Sequence, residues 1–360
     1  DYALDFSVEF INAENVVSRY SDIVWNKGLR NQEENSVDEA NTSVAIASMN
    51  GSISELDASE FSTTTKENFT GNVDFTAVRN KYFLMALKPK TNAKDASVFL
   101  EGQKFGAPNN GLYKEYQVAY RVPVKSGTTK SEFTFYLGPQ EYNRLKSLDL
   151  EGAMNLGFRW LVAPIGKYFM IPIFKFIHNF VPNYGIAIII FSILMKILLY
   201  PLSVQQLRST QKMQLIAPEL QKIREKYPDD QMKQQQETMA LYSQYGVNPM
   251  GGCLPLLLQM PILYSLWAVL SNTVELRQAY FFGWIDNLSV PDVIFNIGFQ
   301  LPLLGIDKFS GLALIMGVTL FIQQKISVTD PRQKAMVYVM PVMFTLLFSS
   351  FPAGLNLYYL

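Results

Sequence analysis

Apolar and polar residues follow one pattern in the first 150 residues and a different one in the rest of the chain. In the first part, residues 5–10, 81–87, 116–122 and 132–137 alternate with a period of two and are rich in aromatic and β-branched side chains. Such alternation is typical of strands with one buried face. Turn-forming residues lie at 109–111 and 125–127. Residues 1–150 are therefore predicted to form an antiparallel β-sandwich domain.

Long apolar runs dominate the chain from about residue 153 onward. They cover residues 185–202, 253–270, 310–322 and 335–351, and a fifth begins at 354 and reaches the last residue. A helix needs about 20 mostly apolar residues to cross a bilayer. Buried helices of a soluble protein are the alternative, but ordinary helices average about 11 to 12 residues. Residues 183–360 are therefore predicted to form an α-helical polytopic membrane domain, with four spans and a truncated fifth.

Both ends of the chain are expected to be incomplete. The sequence begins with Asp1 rather than Met, in a strand-like stretch, and stops inside an apolar run. A signal or membrane segment before residue 1 therefore cannot be assessed from this sequence.

Residues 151–182 have the spacing of an amphipathic helix. Their apolar positions recur every three or four residues: Phe158, Leu161, Ile165, Phe169, Ile173, Phe176 and Phe180. An aromatic-rich helix of this kind suits the membrane interface. A surface helix packed on the β domain is the alternative.

A second amphipathic pattern covers residues 204–248. One apolar stripe combines Ile216, Leu220, Ile223 and Tyr227, and residues 228–230 form a turn signal before another helical stretch. The pattern predicts an antiparallel helical hairpin. It would serve either as a docking arm or as a solvated connector.

Composition narrows the function classes. Charged residues make up 17% of the 360 positions, against about 25% in average soluble domains. Lys plus Arg and Asp plus Glu both number 31, so the net charge is zero and a nucleic-acid partner is not expected. One Cys and one His exclude a disulfide scaffold and a His/Cys metal cluster. We expect no metal and no cofactor.

The distribution of Lys and Arg predicts the orientation in the membrane. Residues 203–249 and 325–334 are rich in these residues, whereas residues 273–308 contain only Arg277 and Lys308. The positive-inside rule places the first two loops in the cytoplasm and the third outside. Alternation then places the β domain outside, in a periplasm-type compartment.

Lys196 is the only ionisable residue centred in an apolar run. A charge near the bilayer centre costs about 2.5–3.5 kcal/mol on insertion scales and is a candidate functional site. Snorkelling towards the cytoplasm is the alternative. Ser192, Lys196, Tyr200 and Ser203 share one helix face at spacings of four, four and three.

Other spans also carry polar residues, but none carries a carboxylate that could neutralise Lys196. These further polar positions are Gln259, Thr319, Gln323, Thr345, Ser349, Asn356 and Tyr359. Isolated Ser and Thr residues usually form interhelical hydrogen bonds. An unpaired buried cation is costly, so the site is predicted to be a hydrated cavity that receives an acidic guest.

These residues occur in motifs that resemble the YidC/Oxa/Alb family of membrane protein insertases. The resemblance rests on Lys196 with Tyr200-Pro201-Leu202, on Met239-Ala240-Leu241-Tyr242, on Val247-Asn248-Pro249-Met250-Gly251-Gly252-Cys253-Leu254-Pro255 with Gln259-Met260-Pro261-Ile262, on Thr329-Asp330-Pro331, and on Phe351-Pro352-Ala353-Gly354-Leu355. It covers about residues 150–360, with weaker similarity at Tyr136-Leu137-Gly138-Pro139.

The resemblance implies a five-span core around a groove that is open to cytoplasm and lipid and closed to the outside. It also implies an inner-membrane protein without covalent chemistry, whose partners are nascent membrane proteins, the ribosome, the Sec translocon and the lipid bilayer. Ser192, Leu263, Tyr358 and Tyr359 lie at positions where the family contacts its guest. Lys196 stands where the bacterial family usually has Arg, which keeps the charge but loses the bidentate fork.

Two other function classes compete with this one. A polar cavity with one Lys would suit a transporter of a small anionic solute, although no paired repeat or broken helix pair is visible. A membrane enzyme lacks a nucleophile–base pair, because the only histidine, His178, lies in the interfacial helix. Cys253 stands beside glycines at the start of a span and is interpreted as a packing residue.

Overall fold

The computed structural model describes residues 2–13, 16–17, 19–91, 96–108, 110–158, 160–228, 230–246, 254–298, 308–327 and 334–360. Two compact units account for the chain. One comprises Asp1–Asn155 with Asn272–Glu275, and the other comprises Leu156–Ser271 with Leu276–Leu360. The motifs at 247–253 and 329–331 lie outside the described residues.

The first unit is an antiparallel β-sandwich, which confirms this part of the predicted fold. A six-stranded sheet has the order β1-β10-β7-β6-β3-β4, and a four-stranded sheet has the order β2-β9-β8-β5. Their strands are β1 Ala3–Ile11, β2 Tyr20–Trp25, β3 Val44–Met49, β4 Ser52–Leu56, β5 Thr65–Gly71, β6 Val73–Arg79, β7 Phe83–Pro89, β8 Ala96–Ala107, β9 Gly111–Pro123 and β10 Thr128–Pro139.

Each of the four alternating stretches lies wholly or mainly in a strand, namely β1, β7, β9 and β10. Apolar residues on the inner faces of the two sheets form one core that includes Val98, Tyr116, Val118 and Phe133. The turn between β8 and β9 places Asn110 at φ 57°, a left-handed conformation that Asn tolerates well.

A buried polar cluster fastens helix α1, Ser36–Thr42, to the sandwich. The Glu39 carboxylate accepts hydrogen bonds from the backbone N–H groups of Gln32 (2.6 Å) and Glu33 (2.9 Å) and from Asn80 Nδ2 (2.7 Å). Burial raises the pKa of the Glu39 carboxyl, although these backbone donors oppose the rise. Beside it, burial by itself would lower the pKa of Lys81. The Asp38 carboxylate, 2.5 Å from the ammonium, opposes this effect, and the pKa of Lys81 lies above its ordinary value.

After helix α2, Tyr142–Ser147, and a 3₁₀ turn at Glu151–Ala153, the chain enters the helical unit. Its helices are α3 Val162–Ile165, α4 Ile171–Phe180, α5 Tyr184–Lys226, α6 Gln231–Gln244, α7 Leu254–Asn272, α8 Gly311–Ser327, α9 Lys334–Phe348 and α10 Ala353–Tyr359, and two short strands are β11 Val293–Asn296 and β12 Lys308–Ser310. A π-helical turn at Gly166–Met170 joins α3 to α4.

This π turn changes which face of the predicted amphipathic helix is buried. Ile171, Phe174 and Ile177 are buried, whereas Phe176 and Phe180 are exposed. A π turn inserts one residue into the helical repeat and so rotates the faces that follow. Both faces of α4 are therefore apolar.

Helix α5 is continuous from Tyr184 to Lys226, so the residues predicted for the first span and for the first arm of the hairpin form one helix. It is the only helix among the described residues that is long and apolar enough to cross a membrane, and shorter apolar helices lie at Gly311–Ile326 and Val337–Phe348. Helix α6 packs against its C-terminal part through Ile216, Leu220 and Leu241.

Candidate functional site

The surface of α5 divides into three sectors around the predicted site. Ala187, Ile188, Phe191 and Met195 are buried against the rest of the helical unit. Ile193, Leu194, Ile197 and Leu198 are apolar and exposed. At 3.6 residues per turn, Ser192, Lys196, Tyr200 and Ser203 occupy the third sector.

The third sector is polar and open, and it lies in the middle of the continuous helix. The side chains of Lys196 and Tyr200 are exposed, and Ser192 is half-buried. The Lys196 ammonium makes no hydrogen bond or ion pair with any of the described residues. The apolar residue Ile189 occupies the same sector one turn nearer the start of α5. The polar surface is thus confined to the part of the helix that leads towards the α5–α6 hairpin.

Hydroxyl groups of the predicted site residues bond within their own helices. Ser192 Oγ donates to the Ile189 carbonyl at 2.8 Å, Thr319 Oγ1 to Met316 at 2.8 Å and Thr345 Oγ1 to Pro341 at 2.7 Å. These bonds return to the preceding turn, as is common for Ser and Thr in apolar helices. None of these three hydroxyl groups therefore donates a hydrogen bond to a neighbouring helix.

Helix α10 brings three predicted residues close to α5 and α9. The Tyr358 ring lies 6.1 Å from the ring of Phe191, next to Ser192, and the Tyr359 ring lies 5.1 Å from that of Phe348. Asn356 is fully buried and donates from Nδ2 to Ser310 Oγ and to the Phe348 carbonyl, both at 3.1 Å. Its Oδ1 has no hydrogen-bond partner among the described residues.

The hydrogen bond from Asn356 to Ser310 continues to the carboxylate of Asp292, a residue that sequence patterns did not indicate. Asp292 is buried and accepts from Leu312 N at 2.8 Å, from Trp284 Nε1 at 3.0 Å and from Ser310 Oγ. Ser310 Oγ also accepts from Ala313 N at 3.1 Å. Asp292 and Ser310 therefore cap the first turn of α8, where a negative charge is favourable.

Helices α8 and α9 pack closely where a glycine faces a predicted site residue. A Cβ atom on Gly317 would lie 1.9 Å from Thr345 Oγ1, so only glycine fits at this crossing. Thr319 and Gln323 of α8 are exposed, and Thr345 is half-buried. The polar positions of α8 and α9 therefore lie partly outside the contact between these two helices.

Gln259 and Leu263 are half-buried on α7. The aromatic contacts of this helix involve Tyr264, whose ring stacks on that of Phe158 at 5.5 Å and lies 5.2 Å from that of Trp267. Within the described ranges, Gln259 makes no hydrogen bond to Lys196. Residues of the predicted site thus lie on five helices, and direct contacts link α5 with α10 and α8 with α9.

Comparison with known proteins matches both parts of the chain. Residues 176–360 match the family profile described as 60Kd inner membrane protein, and residues 1–168 match that of the YidC periplasmic domain. The membrane protein insertase YidC of Chlorobium limicola is 39% identical over 367 positions, which include 100% of this chain and 62% of the relative. The protein of the same description from Prosthecochloris aestuarii is 39% identical over 368 positions, with the same coverage.

A solved structure described as an active YidC insertase with its first transmembrane domain resolved is 23% identical, with a TM-score of 0.46, and the match covers 88% of this chain and 80% of that one. The chain spans 62% of the length of the two curated relatives. The profile of the membrane part alone covers more than half of the chain. The chain therefore belongs to the 60Kd inner membrane protein (YidC) family, as an inner-membrane protein with a periplasmic domain.

Proposed function

We propose that the protein is a membrane protein insertase, which moves segments of nascent membrane proteins from the cytoplasm into the lipid bilayer without a covalent step. The observation that carries the proposal is the polar sector of α5. Lys196 is exposed there, and the spans contain no carboxylate to neutralise it. A cation in this position favours a hydrated groove and an acidic guest.

The free energy for insertion comes from the guest, not from Lys196. Burial of apolar surface is worth about 25 cal/mol per Å², whereas an ion pair in a wet site contributes about 0–1 kcal/mol. Lys196 therefore acts as a transient attraction that lowers the barrier for the acidic, outside-bound end of a guest.

The arrangement of polar groups along the helical unit supports a groove that opens towards the cytoplasm. The polar sector of α5 begins at Ser192 and runs towards the hairpin. At the other end, Asp292, Ser310 and Asn356 form a buried network that joins α8 and α10. A guest could thus enter from the hairpin side while the outer end stays closed.

In this proposal α5, α7, α8, α9 and α10 supply the five spans, the last of them incomplete. The α5–α6 hairpin lies in the cytoplasm and receives the guest from the ribosome, and larger guests are shared with the Sec translocon. The guest leaves between the second and fifth spans, past Ser192, Leu263, Tyr358 and Tyr359. Tyr200, Gln259, Thr319, Gln323, Thr345 and Asn356 contribute polar surface to the groove.

Site-specific crosslinking from the full-length protein to a ribosome-stalled nascent membrane protein tests this path. Photoreactive residues at Ser192, Leu263 and Tyr359 should capture the nascent chain. The matched control is Ile197, which lies on the exposed apolar sector of the same helix and should capture lipid.

Equal capture of the nascent chain at Ser192 and Ile197 would contradict a groove on the polar sector. Capture of lipid alone at every position, together with uptake of a radiolabelled anion into proteoliposomes, would favour a transporter of a small anionic solute instead.

A further inference from the structure

Large apolar side chains are exposed on the loop between α7 and α8, at the end of the helical unit where α5 and α10 begin. They belong to the turn at residues 280–284 and to strand β11. Their exposed fractions are 57% for Tyr280, 69% for Phe282, 47% for Trp284, 52% for Ile294 and 60% for Phe295. We call these five residues the outer apolar surface. Exposed apolar groups of this kind mark a protein or membrane contact.

A buried and hydrogen-bonded base holds the outer apolar surface in place. Ile285 and Leu288 are buried beneath it. Trp284 donates to the buried Asp292, and its indole meets Ile294 over Gly311, where a Cβ atom would lie 2.8 Å from Trp284 Nε1 and 3.1 Å from Ile294 Cγ2. Strand β11 pairs with β12 next to the start of α8. The exposure is therefore built into the fold.

Residues 280–288 of the loop lie level with the first turn of α5. Asn183 Nδ2 donates to the Tyr280 carbonyl at 3.5 Å, and a Cβ atom on Gly185 would lie 2.0 Å from the Phe281 ring. Leu288 accepts from Gly354 N, at the start of α10. Because the apolar run of α5 begins at Gly185, the outer apolar surface lies at the boundary between water and lipid.

A second element contributes aromatic residues at the same level. The His178 ring stacks on Tyr184 at 4.0 Å, and Phe176 and Phe180 of the same helix are exposed. Exposed aromatic groups from separate elements at one level fit a planar lipid boundary better than a single protein epitope. Trp and Tyr are enriched at this boundary because their rings are amphipathic.

Charge also favours a lipid partner. Residues 280–296 contain no Lys or Arg, and their acidic residues are Asp286, which is exposed, and the buried Asp292. The cation beside the surface is the exposed Lys308 of β12, opposite Asn296 at the end of β11, and one Lys falls short of the basic cluster that selects anionic headgroups. Contact with lipid would rest on apolar burial.

We propose that the outer apolar surface inserts into the headgroup–acyl boundary of the outer leaflet and anchors the α7–α8 loop there. Strand β11 presents Ile294 and Phe295 to the acyl chains, while Tyr280 and Trp284 lie among the headgroups. Through Asp292, the anchor is coupled to the first turn of α8.

Fluorescence quenching in proteoliposomes tests the anchor. The only cysteine, Cys253, is replaced by Ala, and Phe295→Cys is labelled with an environment-sensitive fluorophore in full-length protein in phosphatidylcholine vesicles. Phosphatidylcholine with a quencher high on the acyl chain should quench this label at least about twofold more than a label at Asp286→Cys, as expected for burial of about 5–10 Å. Iodide should show the opposite order. Added phosphatidylglycerol should leave both values unchanged.

Quenching of the Phe295→Cys label by iodide but not by lipid would overturn the anchor. Protection from both quenchers would also overturn it, and would indicate a contact between two copies of the protein. A strong increase in lipid quenching with phosphatidylglycerol would contradict a purely apolar contact.

Discussion

At the scale of single residues, the candidate site combines one feature that sequence reveals and one that it hides. Lys196 stands out because an ionisable residue inside an apolar run is rare. Asp292 does not stand out, because it lies in a stretch between two predicted spans and belongs to no recognisable motif. Its importance comes from tertiary contacts with Trp284, Ser310 and Leu312.

Asp292→Ala should destabilise the helical unit by about 2–4 kcal/mol, because bonds to a charged acceptor are lost and buried donors are left without a partner. Thermal unfolding of the chain in detergent micelles measures the change. Asp286→Ala is the matched control, since Asp286 is an exposed carboxylate of the same loop. An equal effect of the two substitutions would show that the Asp292 network adds no stability.

A second residue-scale prediction concerns the pH dependence of the sandwich. Burial raises the pKa of Glu39 above its ordinary value of 4.5, so the folded state binds the proton more tightly than the unfolded state. The free energy of unfolding should therefore fall as pH rises from about 4.5 through the raised pKa. Glu39→Gln should remove this contribution to the pH dependence of the free energy of unfolding, even if the substitution also changes that free energy by an amount independent of pH.

Urea unfolding of the chain in micelles, with pulse proteolysis of the sandwich, gives the slope between about pH 4.5 and about pH 7.5. The exposed Glu34→Gln is the control. If Glu39→Gln and the unsubstituted chain show parallel curves, Glu39 does not contribute to the pH dependence.

At the scale of elements, local sequence patterns predict the strands and helices whose formation depends mainly on the residues within them. Period-two alternation finds β1, β7, β9 and β10, and helical spacing predicts an α5–α6 hairpin, which packs as a helical pair. Patterns do not reveal that α5 continues through Pro201 and Pro218 into one arm of that hairpin. Proline usually disfavours a helix interior, so two prolines in the sequence favour an interrupted helix, whereas α5 is continuous through both.

Sequence patterns also miss contacts that depend on two distant elements. The close crossing of Gly317 with Thr345 is an example. The π turn at Gly166–Met170 is a local feature that the helical spacing also does not indicate. Glycine usually destabilises a helix because its helix propensity is low. At the crossing of α8 and α9, Gly317 instead permits the two helices to pack closely.

Gly317→Ala should separate α8 from α9 and destabilise the helical unit by about 1–3 kcal/mol, the usual cost of overpacking. Thr345→Ala removes the atom that the new methyl group would meet, so the double variant should recover most of the loss. Thermal unfolding in micelles of the single and double variants completes the cycle. Additive effects would contradict a direct steric conflict at this crossing.

At the scale of the whole molecule, the zero net charge is the sum of unlike parts. A sandwich with exposed ion pairs precedes apolar runs that carry almost no charge and the intervening Lys- and Arg-rich residues 203–249 and 325–334. Localisation in the inner membrane and the periplasmic domain agree with the family of the chain. Within the membrane part, the proposed groove rests on the position of Lys196.

Insertion by full-length Lys196 variants in proteoliposomes tests this central claim most directly. Two versions of one small membrane protein serve as guests, one with an acidic outside-bound tail and one with the acidic residues replaced by Asn or Gln. Lys196→Ala should slow insertion of the acidic guest by about two- to fivefold, consistent with a wet ion pair, while Lys196→Arg keeps the rate and Lys196→Glu slows it further. The neutral guest should respond little to any variant. Equal insertion of the acidic guest by the Ala, Glu and unsubstituted proteins would contradict the account.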